Sequence, residues 1–185
     1  VRNHGETGAV VRSLTAESGL LAGYVQGARG RNLRPVLIPG NIIKGEWRAR
    51  SVGQLAGMTV DLQQSRAHLL GEPLAIAAID WITALSAATL PEAHPYPRLY
   101  DALSGVLDAI ALAPAARRWA GAVAQFESLL LAELGYAEQM EQTDTPAALM
   151  VQNRARLVAH VLGDHRADVI AARERLAERL KRAVA

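Results

Sequence analysis

The chain has 185 residues, of which 50% are hydrophobic and 4% aromatic, and its alanine and leucine content favours helix over most of its length. A chain of this size buries roughly 70% of its unfolded surface, enough for one large core or two small ones. The absence of cysteine excludes disulfides, thiol catalysis and cysteine-based zinc sites. Apolar runs fall short of the roughly 20 residues of a membrane helix and no leader peptide is evident, so we expect a cytoplasmic protein. The start at Val1 suggests that the sequence begins inside a longer protein.

The formal net charge of +2 conceals an uneven distribution along the chain. Residues 1–68 carry nine Lys/Arg against four Asp/Glu, residues 69–153 carry three against ten, and residues 154–185 carry eight against four. A basic N-terminal part followed by an acidic part indicates that the first part meets a polyanion. The basic C-terminal residues are typical of the solvated face of an amphipathic helix.

Before residue 68 the sequence predicts short β-strands separated by glycine and proline turns. Five such strands favour a small closed barrel, for which the oligonucleotide-binding (OB) barrel is the obvious five-stranded type. An SH3-like barrel would give much the same pattern. The predicted strands span residues 10–15, 20–26, 36–38, 42–50 and 55–63.

A cluster of cations lies within these predicted strands and the loop between them. Five arginines and one lysine fall between residues 29 and 50. The first three lie in a turn-rich loop, where side chains reach outward, and strand alternation puts the other three on one face of strand 42–50. We expect this surface to bind phosphates and to extend as far as residue 66. The predicted phosphate-binding residues are Arg29, Arg31, Arg34, Lys44, Arg48, Arg50 and Arg66.

Two aromatic residues of the predicted strands could stack on nucleic-acid bases. Alternation places Trp47 on the apolar face of its strand, where packing in the core is the simpler interpretation. For Tyr24 the sequence leaves core packing and base stacking open.

After residue 72 apolar residues recur at intervals of three and four, which predicts an all-α domain over residues 69–185. Proline at the first helical position and glycine after the last one mark several helix ends. The predicted helices span residues 73–90, 97–113, 119–134 and 146–162, followed by a last, basic helix that begins after Asp164.

The sequence contains no convincing catalytic or metal-binding constellation, so we expect neither an enzyme nor a cofactor. His4 and Glu6 can share a strand face, but no nucleophile or third partner accompanies them. His160 and His165 do not have the helical i, i+4 spacing of a metal-binding pair. The glycines of residues 27–30 are not followed by the Lys-Ser/Thr of a phosphate-binding loop.

Several segments, in chain order, resemble the RecO recombination-mediator family of bacterial DNA repair proteins. The resemblance rests on HGETGAVVRSLTAESGLLAGYVQGARG at residues 4–30, LRPVLIPGN at 33–41, LPEAHPYPRLYDAL at 90–103 and FESLLLAELGY at 126–136. Shorter similar elements are WRAR at 47–50, GQL at 53–55 and ARERLAERLKRAV at 172–184. The resemblance implies an OB-fold domain over residues 1–68 and a helical domain over residues 69–185.

The resemblance also implies a non-enzymatic role. Members bind single- and double-stranded DNA, anneal complementary strands, and work with RecR to help RecA replace single-strand-binding protein. It further implies that the helical domain captures the acidic C-terminal tail of single-strand-binding protein. We expect Arg117 and Arg118 to receive this tail, because they are the adjacent cations of the acidic stretch. The simpler interpretation of these two residues is a helix-surface pair.

Many members of this family continue after the Leu-Gly-Tyr element into a four-cysteine zinc-binding segment, which this sequence does not contain. Either this member has lost the segment or the sequence joins two segments across a gap, and we expect no zinc. The alternative to a DNA-binding mediator is a helical interaction or regulatory module whose barrel docks protein or RNA. The salt dependence of binding separates the two functions.

Overall fold

The computed structural model describes residues 1–49, 53–113, 115–136, 145–163 and 166–184 and has α+β architecture, which confirms the predicted class. The strands are β1 (Arg2–His4), β2 (Gly8–Thr15), β3 (Gly19–Val25), β4 (Ile42–Arg48) and β5 (Gly57–Gln64). The helices are α1 (Pro73–Thr89), α2 (Pro97–Leu112), α3 (Ala120–Glu133), α4 (Pro146–Arg156) and α5 (Ala167–Val184). Short 3₁₀ turns occupy Ala67–Gly71 and Ala116–Arg118, and a π-helical turn occupies Leu157–Leu162.

The strands form one sheet in the order β1-β2-β3-β5-β4. Neighbouring strands are antiparallel except β3 and β5, which pair in parallel through Tyr24 and Gly57. Within the described residues β1 does not pair with β4, so the sheet is open and the predicted closed barrel is not seen.

The predicted strand at residues 36–38 is wrong, and the fifth strand is β1 instead. Residues 36 and 37 form a turn in which the backbone N–H groups of Val36 and Leu37 both donate to the Leu33 carbonyl. The flanking prolines have no N–H group to donate to a strand ladder. Leu37 is only 8% exposed, so the segment covers the inner face of the sheet rather than extending it.

The sheet and the helices bury separate cores. The inner face of the sheet packs against the loop between β3 and β4, and this core comprises Ala9, Val11, Val25, Ala28, Leu37, Met58 and Val60. The helices enclose a larger core, whose biggest members are Trp81, Trp119 and Phe126. Leu20 at the start of β3 belongs to the helical core, so the sheet packs directly on the helices.

The predicted helices are found with ends that differ by only a few residues. The Thr145 hydroxyl accepts a hydrogen bond from the Ala148 N–H and caps α4, which begins at a proline. Gly135, with φ of +90°, ends α3, and the N–H of Tyr136 donates to the Leu131 carbonyl. A left-handed glycine and a six-residue backbone hydrogen bond are typical of a Schellman cap. Within the described ranges no helix is long and apolar enough to cross a membrane.

An arginine and a glycine of the sheet hold it against the helices. The Arg12 guanidinium donates to the Ala87 carbonyl and, at 2.9 Å, to a Glu92 carboxylate oxygen. Gly19 has φ of +69° and lies so close to the His94 carbonyl that a Cβ atom would collide with it. We call this region, defined by Arg12, Gly19 and the residues they contact, the sheet–helix junction.

Candidate nucleic-acid interface

The loop of residues 26–41 is held firmly against the sheet. Its residues Ala28 and Leu37 are buried in the sheet core. The Arg29 N–H donates to the Thr7 carbonyl at 3.2 Å, and the Arg29 guanidinium donates to the Glu6 carbonyl at 3.0 Å. These bonds fix the loop at the turn between β1 and β2. A ligand that binds there meets a surface that is already ordered.

Three of the predicted phosphate-binding arginines lie on this loop. Arg29, Arg31 and Arg34 are all exposed. Arg29 and Arg34 line one small cavity of about 400 Å³, together with Asn3 of β1. Among the described residues, no carboxylate forms a salt bridge with any of the three arginines. Their charge is therefore available to an anion from outside.

Strand β4 presents the predicted alternation. Lys44, Glu46 and Arg48 are exposed on its outer face, whereas the residues between them are half-buried. Arg48 contacts Glu46 at 3.5 Å with both side chains exposed, and Lys44 lies opposite Asp61 of β5. Each cation thus has an acidic neighbour, but exposed pairs of this kind are weak and exchange readily. Arg50, which was predicted to extend this face, lies outside the described residues.

The register of the sheet adds Arg2 to the same outer face. Arg2 pairs with Val10, Val10 with Tyr24, Tyr24 with Gly57, and Gly57 with Arg48. Directly paired residues point to the same side of a sheet, so these five residues form one line across all five strands, which we call the outer row. Arg2 and Arg48 are exposed at its two ends. Arg2 was not among the predicted residues, because register depends on pairing between distant segments and is not visible in one strand.

Arg66 does not belong to this surface, and its prediction as a phosphate-binding residue is corrected. Its side chain is 1% exposed. The guanidinium donates to the Gly40 carbonyl and, at 2.7 Å, to a carboxylate oxygen of Asp108 on α2. The Arg66 N–H donates to the Asn41 side-chain oxygen at 2.8 Å. Because the chain turns inward after β5, Arg66 links the sheet to the helices and extends the sheet–helix junction.

A cleft of about 580 Å³ lies between the sheet and the helices. Trp47 lines this cleft and packs against the sheet core, in agreement with the core interpretation of its position. Asp80, Arg12 and Arg175 also line the cleft. Burial raises the pKa of Asp80, although the nearby Arg175 and Arg179 act in the opposite direction. The mixed charges of this cleft make it a poor site for a polyanion.

Arg117 and Arg118, the predicted receptors of an acidic tail, are exposed on the 3₁₀ turn between α2 and α3. Trp119, which follows them, is buried in the helical core and anchors the turn. Leu112, at the end of α2 in the same connection, is 86% exposed. Cations and an exposed apolar side chain therefore occur in one short segment.

A buried ion pair joins three helices of the helical part. The Glu127 carboxylate accepts from the Arg173 guanidinium at 3.0 and 3.1 Å and from the Trp81 indole N–H at 2.8 Å. Burial raises the pKa of Glu127, while Arg173 and the hydrogen bonds pull it down. Both side chains are nearly inaccessible, at 0% and 4% exposure, so this pair joins the helices and is closed to a ligand.

The histidines singled out in the sequence form no metal site within the part of the chain that the structure describes. The His4 ring packs edge-on against Tyr24, with 6.0 Å between ring centroids. The His160 ring stacks on Tyr136 at 5.2 Å. His165 lies outside the described residues.

The helical part and most of the chain match known proteins. Residues 70–143 match the family model described as "Recombination protein O C terminal". The chain is 38% identical over 136 residues to a "DNA repair protein RecO" of Paracoccus denitrificans, covering 74% of this chain and 55% of that protein. It is 40% identical over 136 residues to the protein of that name from Rhodospirillum centenum, covering 73% and 53%. With Methylorubrum extorquens the identity is 39% over 140 residues, covering 74% and 54%.

The chain spans about half the length of the curated relatives it matches. The matched helical region comprises α1, α2 and α3. On these matches the chain is similar, over about three quarters of its length, to proteins of the RecO family.

Proposed function

We propose that this chain is a DNA-binding protein of recombinational repair that acts without catalysing a reaction. It binds single- and double-stranded DNA through the outer row and the loop of residues 26–41. The observation that carries the proposal is a set of exposed arginines that form no salt bridge among the described residues, on a loop that is itself well anchored. The names of the relatives, which are DNA repair proteins, support the same function.

Exposed cations of this kind bind DNA by neutralising backbone phosphates and releasing condensed counterions. The affinity is independent of sequence and falls steeply with salt. Because residues 26–41 are fixed by backbone hydrogen bonds and buried side chains, little conformational entropy is lost when DNA binds. A preformed cationic surface therefore suits DNA of any sequence.

We also infer that the sheet is of the oligonucleotide-binding type, that it forms a domain of residues 1–68, and that residues 69–185 form a second, helical domain. Five strands in a partly open arrangement support the first point. Separate cores in the sheet and the helices support the second.

The salt dependence of DNA binding tests the proposal. Affinity of the full chain for a labelled oligonucleotide is measured between about 50 and 200 mM salt, where each phosphate contact contributes a slope of roughly 0.7 on single strands and 0.9 on duplex. We expect a steep slope for the parent. Changing Arg29, Arg31 and Arg34 to Glu should flatten it by the amount that about two to three phosphate contacts contribute. A slope near zero for the parent would instead favour the alternative, a module that docks a protein.

The similarity to RecO proteins supports a proposal about partners as well. We propose that the chain anneals complementary strands and acts with RecR to help RecA replace single-strand-binding protein. The acidic, apolar-ended tail of single-strand-binding protein is proposed to dock at Arg117 and Arg118, where exposed Leu112 supplies an apolar contact.

A peptide titration tests this docking site. Changing Arg117 and Arg118 together to Ala should weaken binding of the tail peptide and leave DNA affinity nearly unchanged, because the two surfaces lie on different elements. Arg98→Ala, which removes an exposed arginine already paired with Glu133 at 2.8 Å, is the matched control. Equal peptide affinity in the double variant and the parent would exclude the site.

A further inference from the structure

We propose that Tyr24 is a stacking platform for an unpaired base of single-stranded DNA, held between phosphate contacts at Arg2 and Arg48. The proposal rests on the DNA-binding function proposed above and specifies a base-binding site within it. Tyr24 lies in the middle of the outer row, and the sequence alone did not decide between core packing and base stacking for this residue.

Glycines surround the Tyr24 ring in both neighbouring strands. Gly57 of β5 pairs directly with Tyr24 and offers no side chain to cover it. On the other side, a Cβ atom on Gly8 of β2 would collide with the ring and hydroxyl of Tyr24, so the ring lies down over this glycine. The His4 ring packs against it at an interplanar angle of 85°, with 6.0 Å between the ring centroids. Tyr24 is half-buried, so part of its side chain remains accessible to solvent.

Cations flank this ring on both sides. Arg2 and Arg48 each lie two strands from Tyr24 along the outer row, or about 10 Å at the usual strand spacing. Acidic groups are also present, with Glu46 at 3.5 Å from Arg48 and Glu6 in the adjacent turn. The charge at the row is therefore positive but moderate, and stacking can supply affinity that the two arginines alone would not.

This geometry fits a single strand better than a duplex. Stacking on an aromatic side chain needs an unpaired base with a free face, and the bases of a duplex already stack on one another. Cations at the ends of the row can contact phosphates of the same strand on either side of the stacked base. A duplex would meet only the cations. The platform therefore adds affinity selectively for single strands.

The direct test compares Tyr24→Ala and Tyr24→Phe in the full chain. Fluorescence anisotropy is measured with a labelled oligothymidylate, the same oligonucleotide carrying abasic positions, and a duplex. Tyr24→Ala should weaken oligothymidylate binding roughly 5- to 150-fold, which corresponds to the usual stacking contribution per base. Binding of the abasic strand and the duplex should not change. Tyr24→Phe should retain the parent's affinity, since it keeps the ring.

A second variant separates loss of stacking from loss of folding. A Cβ atom on Gly57 would meet only the Arg48 carbonyl, at 3.8 Å, so Gly57→Thr fits the strand and places its side chain beside the ring. It should reduce oligothymidylate binding selectively while leaving the circular dichroism spectrum unchanged. Tyr136→Ala, which removes a 40% exposed aromatic from the helical part, is the control and should have no effect.

The outcomes separate this proposal from the general one. If the parent binds DNA with a steep salt slope and folded Tyr24→Ala or Gly57→Thr binds oligothymidylate equally well, the platform is wrong and the DNA-binding function stands. An equal loss for duplex and single strand would also overturn the platform, because it would indicate a phosphate site. If the parent binds no DNA, both proposals fail.

Discussion

Arginines of the same basic segment have opposite roles at the sheet–helix junction and on the outer row of the sheet. At the junction Arg12 and Arg66 donate to backbone carbonyls and carboxylates, and Arg66 is 1% exposed. On the outer row the Arg48 side chain is 80% exposed and has one weak acidic neighbour. The number of cations in a segment therefore overstates the charge available to a ligand, because structural partners occupy some of them.

The two kinds of arginine also differ in what they contribute to stability. Removing one partner of a buried, hydrogen-bonded charge leaves the other desolvated and unpaired, which is costly. An exposed ion pair contributes about 0–1 kcal/mol, so its members can exchange partners at little cost. Stability and DNA binding should therefore respond to different arginines, and variants can separate them.

The largest expected effect is on Arg173, whose carboxylate partner Glu127 is fully buried. Glu127→Gln leaves Arg173 buried without its carboxylate and should lower the free energy of unfolding by about 3–5 kcal/mol. Urea denaturation followed by circular dichroism measures it. Glu178→Gln, which breaks an exposed pair with Arg182, is the matched control and should change stability by less than about 1 kcal/mol. Similar losses in both variants would contradict the distinction between buried and exposed arginines.

Arg66→Ala and Arg48→Ala should have reciprocal effects. Loss of the buried hydrogen bonds of Arg66 should cost about 2–3 kcal/mol of stability and leave the salt slope of DNA binding unchanged. Arg48→Ala should change stability by less than about 0.5 kcal/mol. It should flatten the salt slope by the amount that about one phosphate contact contributes. Denaturation and salt titration of the two variants measure both quantities. A folded Arg66→Ala variant with a flattened slope would show that Arg66 contributes to DNA binding.

The smallest expected effect concerns Asp80 in the cleft beside the junction. Burial raises its pKa, so its charged form is disfavoured in the folded state and lowers stability at pH values above the raised pKa. That cost disappears as the pH falls toward the usual value near 3.8. Asp80→Asn should therefore be slightly more stable than the parent at pH 7, with an advantage that shrinks toward pH 4. Urea denaturation at both pH values measures this difference in stability. An advantage that grows on acidification would contradict the raised pKa of Asp80.

The helices follow closely from the sequence because their ends have local causes. A proline starts α1, α2 and α4, and Gly135 follows α3, so each end is encoded within a few residues. The strands β2, β3, β4 and β5 were also predicted, since alternation is local. The segment 36–38 was misassigned, because burial of Leu37 under the sheet decides its conformation and depends on distant residues.

The candidate site could be predicted only in part. Exposure of Arg29, Arg31 and Arg34 agrees with their place in a turn-rich loop. The inward turn of Arg66 toward Asp108 could not be predicted, because a carboxylate 42 positions away decides it. The outer row likewise arises from strand pairing over long sequence separations.

The most direct test of the proposed surface compares two neutralised triples with equal changes in charge. One variant changes Arg29, Arg31 and Arg48 to Ala, and the other changes three exposed cations at the C-terminal helix, Arg166, Arg175 and Lys181, to Ala. The logarithm of single-strand affinity is plotted against the logarithm of salt concentration for both. We expect the first triple to flatten the slope by about two, at roughly 0.7 per lost contact, and the second to leave it unchanged. Equal flattening in both variants, or a larger effect of the second, would contradict the assignment of DNA binding to the sheet and its loop.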